Sequence, residues 1–219
     1  RDSAFETDRN VFSRYLWEAS GKASNQVERT IRIFAPAAGT SLKTIAMCFH
    51  TSLTATPKQL AARYKRRDDL IRDFRPAYHI AAFSYPVYPV VTEDEELQPY
   101  KWGLIPYWVR TPQDAREIRN KTLNARSESV FDKPSYRGAI RTRRCLVPCT
   151  GFFDWRHDKG RKIPYYITVP AESIFSLAGL YDEWDNPDTG ETLRTFSIIT
   201  GPANELMSYI HNTNRRMPM

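Results

Sequence analysis

The second half of the chain constrains the fold most. Residues 123–129, 145–155, 164–169, 173–181 and 195–200 are short runs rich in β-branched and aromatic side chains. Turn chemistry separates them, as in Asp158-Lys159-Gly160 and Asn186-Pro187-Asp188. A parallel, doubly wound sheet needs a crossover helix between successive strands, whereas antiparallel strands join through turns of this kind. The expected fold is therefore α+β: a mainly antiparallel, barrel-like sheet with flanking helices. Three helix starts stand out. Thr56-Pro57 opens a helix over 58–64, Thr111-Pro112-Gln113-Asp114 opens a second, and Pro202-Ala203-Asn204 opens a third reaching about Tyr209. Between the first two, residues 78–91 are β-rich but interrupted by Pro86 and Pro89, which points to edge strands.

A chain of 219 residues with 41% hydrophobic content can bury one core and carry an appendage. Residues 1–46 mix polar and aromatic side chains around positions 11–17 and end in the linker-like Ala35-Pro36-Ala37-Ala38-Gly39-Thr40, so they are expected to form an appendage or leader. Residues 47–219 are expected to form the main domain, truncated at its C-terminal end because it stops inside an element. The chain has no run of about 18 uncharged apolar residues, hence no transmembrane helix, and its start lacks the order of a secretory signal. Three cysteines, of which Cys145 and Cys149 alone lie close together, make a disulfide framework improbable and favour a reducing, cytoplasmic compartment. No other Cys or His pair repeats that spacing, so no metal site is expected. The 32 Lys and Arg exceed the 25 Asp and Glu by seven, and five Trp and twelve Tyr accompany them. Cations that follow phosphates and rings that stack on bases suit single-stranded nucleic acid.

Several residues are candidates for chemistry. Cys48 follows Met47; if it becomes the first residue, its α-amine and thiol together can condense with an aldehyde and close a thiazolidine. As an internal residue it is an ordinary strand cysteine. Asn124 and Arg126 share one face if their segment is extended, an amide beside a bidentate cation. Asp154 stands among aromatics in Gly151-Phe152-Phe153-Asp154-Trp155, where desolvation raises a carboxyl toward the range of a proton shuttle. An ion pair with Arg156 is the alternative. His211 is a candidate acid or base; His50, His79 and His157 have weaker claims.

Taken in order, Met47-Cys48, the run Lys101-Trp102-Gly103-Leu104-Ile105-Pro106-Tyr107-Trp108, the run Thr122-Leu123-Asn124-Ala125-Arg126-Ser127-Glu128, Arg144-Cys145-Leu146-Val147-Pro148 leading into Gly151-Phe152-Phe153-Asp154-Trp155, and Ile210-His211 with Arg216-Met217-Pro218 resemble the SOS response-associated peptidase (SRAP) family, also described as abasic-site-processing or hydroxymethylcytosine-binding proteins. The resemblance spans about residues 47–218. It implies a monomeric DNA-damage sensor, nucleoid-associated in a bacterium, that meets abasic sites in single-stranded DNA and links itself to the opened sugar through Cys48. The family's peptidase label implies self-cleavage before that cysteine. By motif match Asn124 positions the Cys48 terminus, Asp154 takes the place of the family's glutamate, and His211 assists ring opening. Arg126, His50 and Arg216 fall in DNA-binding positions, and Trp102 and Trp155 in segments that line the DNA groove, where the alternative for either ring is core packing. No organic cofactor is implied. This chain departs from the pattern in four ways: Cys48 is not residue 2, Asp154 is one methylene shorter than glutamate, His50 stands where many members have arginine, and residues 212–215 lengthen the gap between His211 and Arg216. A non-catalytic binder of single-stranded or modified DNA is the alternative reading.

Overall fold

The computed structural model describes residues 49–219. The appendage over 1–46 and the Met47-Cys48 pair lie outside the described residues.

Two sheets share the core. The smaller has the order β2 (Ala77–Ala81), β1 (His50–Leu53), β7 (Gly151–Asp158), β8 (Arg161–Ile167), with every neighbour antiparallel. The larger runs β3 (Val87–Val90), β4 (Gln98–Trp102), β10 (Thr192–Pro202), β9 (Phe175–Asp185), β6 (Arg144–Cys149). Its two end strands meet where Val91 and Leu146 exchange both backbone hydrogen bonds at 2.9 Å, so the sheet is nearly a closed barrel. The barrel is mixed, because β4 and the short β5 (Asn124–Arg126) both run parallel to β10. The expectation of a mainly antiparallel sheet holds with that refinement. β3 is a terminal strand, as suits its one proline: Pro89 faces Pro99 in the pairing with β4, where neither has an N–H to donate.

The helices start where capping chemistry places them. α1 (Pro57–Tyr64) has a full capping box, with Thr56 Oγ1 accepting from the Gln59 N–H and Gln59 Oε1 accepting from the Thr56 N–H at 2.8 Å. α2 (Pro112–Arg119) is capped by Thr111, and α4 (Glu205–Ile210) by Asn204. A single turn, α3 (Ala139–Thr142), lies against β9 and β6.

The chain passes between the sheets from β2 to β3, from β6 to β7 and from β8 to β9, most directly at the second. β6 in the barrel passes through Thr150 directly into β7 of the smaller sheet, and the Thr150 hydroxyl accepts from the Thr54 N–H at 3.1 Å. The barrel filling is aromatic: Trp102 and Phe196 stack at 5.6 Å, with Tyr88 set edge-on to Trp102 at 6.2 Å. The Trp102 indole N–H donates to the Leu123 carbonyl at 2.9 Å. Next to it Gly103 adopts φ +102°, and a Cβ there would meet the Arg119 side chain at 2.7 Å, so glycine is required. Cys145 and Cys149 are buried free thiols, as expected.

Candidate functional site

Alternation along β7 decides which side chains turn inward. Phe152 and Asp154 face the interior, while Phe153 and Trp155 face out. Asp154 is thereby buried opposite the turn between α4 and β11 (Arg216–Pro218), which carries His211 at the α4 C-cap. The Asp154 carboxyl and the His211 ring are 1% and 0% exposed, with Oδ2 and Nδ1 3.4 Å apart. That separation is within ion-pairing reach without the alignment of a hydrogen bond, so the contact is electrostatic. His211 Nδ1 lies 2.9 Å from the Arg216 carbonyl. A carbonyl can only accept, which assigns the proton to Nδ1 and leaves the Nε2 lone pair free in the neutral ring. Asp154 Oδ1 accepts from the Trp155 N–H at 2.8 Å. Among the described residues neither Asp154 Oδ2 nor His211 Nε2 has a hydrogen-bond partner. Burial pushes the Asp154 carboxyl up, to about 6, against the opposing pull of His211 and the Trp155 N–H. The alternative ion pair with Arg156 does not form; Arg156 instead donates to the Tyr209 carbonyl and lies over the Tyr209 ring.

Asn124 and Arg126 lie on β5, which pairs with β10 as β11 does. Thr200 pairs with Arg126 on one side and with Pro218 on the other, so β5 and β11 flank β10 there. Asn124 is buried and Arg126 exposed, on one face of β5 as the period-two spacing predicts. A clamp joins the two flanks. Arg216 Nη1 and Nη2 donate to the two Glu128 carboxylate oxygens at 2.7 and 2.9 Å, Nη2 also donates to the Thr200 carbonyl at 2.7 Å, and Nε donates to the Thr200 hydroxyl at 3.3 Å. The Arg216 bonds hold the Glu128 carboxyl down, at about 2. Arg216 was expected among the DNA contacts; with its fork closed on Glu128 and Thr200, it serves instead to fix β11, and through its carbonyl the His211 ring. Sequence reading missed Glu128 in this role, although a carboxylate two residues past an exposed arginine on a predicted strand was a usable signal.

Trp102 also departs from expectation. It is 0% exposed inside the barrel, so neither face of its ring can meet a base, and its reading as a groove residue is corrected to core packing. Trp155 is half-buried on the outer face of β7, where the His50 ring packs edge-on against it at 4.8 Å. His50 Nδ1 lies 2.9 Å from His79 Nε2 and the two rings stack. Burial first, and His79 second, push His50 down to about 4, so it is neutral at physiological pH. Neither described cysteine is a ready nucleophile: burial pushes the Cys149 thiol up to about 12 and the Cys145 thiol upward as well. Among the described residues no three His, Cys, Asp or Glu are grouped to hold a metal.

A family model described as SOS response associated peptidase (SRAP) matches residues 47–219. The abasic site processing protein YoqW of Bacillus subtilis (strain 168) is 35% identical over 150 residues, which cover 67% of this chain and 63% of YoqW. The abasic site processing protein HMCES of Xenopus tropicalis is 32% identical over 145 residues, 58% of this chain and 42% of HMCES. The chain thus spans less than two thirds of the length of these relatives. A crystal structure of a protein from Bacteroides thetaiotaomicron superposes with a TM-score of 0.77 at 51% identity, over 78% of this chain and 75% of that one. With the family pattern matched from Met47 to the last residue, the chain belongs to the SRAP family.

Proposed function

We propose that this protein recognises abasic sites in single-stranded DNA and joins itself to them through Cys48. The domain over residues 47–219 acts as a monomer in the cytoplasm, residues 1–46 are its leader, and loss of that leader together with Met47 frees the reactive amine of Cys48. An abasic deoxyribose opens to an aldehyde at C1′. The Cys48 α-amine adds to that carbon and water leaves, giving an imine; the thiol then adds across the C=N bond, its sulfur to carbon and its proton to nitrogen, closing a thiazolidine with the net loss of one water.

The observation that carries this reading is the buried Asp154–His211 pair, with one unpartnered oxygen and one unpartnered nitrogen among the described residues. A buried polar atom left without a bond is unfavourable by about 1–3 kcal/mol, and in a native protein such atoms call for a functional account. A carboxyl raised toward neutrality can protonate the departing hydroxyl of the amine adduct and take the proton back. His211, fixed by the Arg216 carbonyl, presents Nε2 as the base for opening the sugar ring. Arg126, exposed on the face that carries Asn124, meets a flanking phosphate.

The relatives named above as abasic site processing proteins support the same substrate class. The test is a denaturing gel of protein beginning at Cys48 with abasic single-stranded DNA. A covalent adduct is expected, absent in Cys48→Ala and slowed at least tenfold in Asp154→Asn and His211→Ala. An undiminished adduct in Cys48→Ala would refute the reading, and salt-sensitive binding without any adduct would leave a non-catalytic DNA binder.

A further inference from the structure

The outer face of the smaller sheet carries a feature that the Asp154–His211 chemistry does not use. Phe153 on β7 meets Tyr166 on β8 at 4.8 Å between ring centres and Tyr78 on β2 at 5.5 Å, and the two tyrosines lie 5.2 Å apart. β2 and β8 are opposite edges of the sheet, so their rings meet only because Gly151 leaves the space between them open. A Cβ at Gly151 would stand 2.3 Å from the Tyr166 ring. The Tyr166 hydroxyl donates to the Thr150 carbonyl at 3.3 Å, which holds the ring flat across the strands. Together with Pro164 the three rings line a recess of about 340 Å³, and Tyr78 at its rim is 50% exposed. Lys162 continues the same face of β8, four residues or roughly 13 Å from Tyr166. Lys159 and Arg161 are exposed at the hairpin tip beyond it, with Asp158 the one carboxylate of the hairpin turn.

We propose that this recess is a stacking subsite for an unpaired nucleobase of the strand whose lesion lies at the Asp154–His211 site, and that the β7–β8 hairpin tip follows that strand's phosphates. The inference rests on the reading of the site as one for single-stranded DNA. Three preformed rings present an apolar surface to the π-face of any base, and the cations at one end match a phosphate chain. A purely apolar protein partner would make no use of the exposed Lys159 and Arg161 at the hairpin tip. Binding here is tolerant of sequence, because every base has a face to stack and the subsite reads no base edge.

The experiment uses an intact single-stranded oligonucleotide without a lesion, so that no aldehyde is present and binding is read apart from crosslinking. With the full chain and fluorescence anisotropy, Tyr78→Ala is expected to weaken binding about tenfold, the lower part of the range for one stacked base. Tyr78→Phe keeps the ring and is expected to bind as wild type. Lys159→Ala with Arg161→Ala is expected to flatten the slope of log affinity against log salt by about 1.4, at roughly 0.7 per phosphate contact. A 2-aminopurine placed in the strand should be quenched by wild type and less by Tyr78→Ala, whose unchanged melting temperature controls for folding. Equal affinity of Tyr78→Ala and wild type for the intact strand, or no binding by wild type, overturns the subsite. A Tyr78-dependent affinity with no adduct between abasic DNA and protein beginning at Cys48 sinks the covalent reading alone; adduct formation by that form with no Tyr78 effect sinks the subsite alone.

Discussion

At the scale of single residues, the half-buried His50 and the buried Asp154 set how the site responds to pH, and they do so with opposite signs. His50 has a folded pKa of about 4, below its ordinary value near 6.5, so the folded protein binds that proton more weakly than the unfolded chain. Its contribution to stability is whole above about pH 6.5 and is lost as pH falls through 4. In His79→Phe only the smaller cause disappears. The His50 ring signal in a proton NMR titration should move its midpoint upward from about 4 while staying below 6.5, and an unmoved midpoint would assign the whole shift to burial. Asp154 is raised to about 6 from 3.8, so its folded form holds the proton more tightly than the unfolded chain does. The penalty for burying the carboxylate is absent below about pH 4 and fully present above 6. Asp154→Asn escapes it, so the stability of the variant relative to wild type should rise between those limits by on the order of 2–3 kcal/mol. Urea unfolding at a series of pH values measures this, and a difference that stays flat with pH would show that the carboxyl is not perturbed.

At the scale of elements, the site depends on short pieces that cannot hold themselves in place. β5 and β11 have three residues each, and the Arg216–Glu128 clamp crosses β10 to join them. Replacing Arg216 with Met keeps the stem's packing and removes the fork. Glu128 is half exposed and regains water, so the loss falls mostly on the Thr200 carbonyl and hydroxyl and on the order of the β11 turn. A destabilisation of about 2 kcal/mol is expected, visible as a drop of roughly 5 °C in the melting temperature, together with a slower adduct because His211 loses its fixed orientation. Thr56→Ala makes a useful contrast: it breaks the α1 capping box, should lower stability by about 1 kcal/mol, and should leave adduct formation unchanged. The caps of α1, α2 and α4 were legible in the sequence because capping is local chemistry within four residues. The strands were legible too, from composition and turns. What the sequence did not reveal was partnership: nothing local in Trp102 tells a ring stacked on Phe196 from a ring stacked on a base, and nothing in Arg216 shows that Glu128, 88 residues earlier, occupies its fork. Asp154 lay between these cases. Its aromatic neighbours foretold desolvation correctly, while its partner, His211, comes from a turn 57 residues away that only the fold brings near.

At the scale of the whole molecule, charge and covalent chemistry separate cleanly, and this provides the sharpest prediction. The net charge is +7 for the full chain and still +5 without residues 1–47, so on the proposed reading either form draws in a DNA strand, because steering depends on the summed field and not on one group. Thiazolidine closure depends on a single nitrogen. While any residue precedes Cys48 that nitrogen is an amide, its lone pair is delocalised into the carbonyl, and it cannot form an imine. Two forms should therefore be compared, one beginning at Cys48 and one retaining the residues before it and carrying Asp154→Asn and His211→Ala to silence any self-processing. Both should bind intact single-stranded DNA with similar affinity and a similar decline with salt. On abasic DNA the second should give no denaturant-resistant product, whereas the same two substitutions in the form beginning at Cys48 should leave a slow but measurable adduct. Intact-mass measurement of that adduct should equal protein plus oligonucleotide less one water, the balance required by imine formation followed by ring closure. A product of the amide-blocked form with that mass would mean that some other nucleophile reacts, and would move the chemistry away from Cys48.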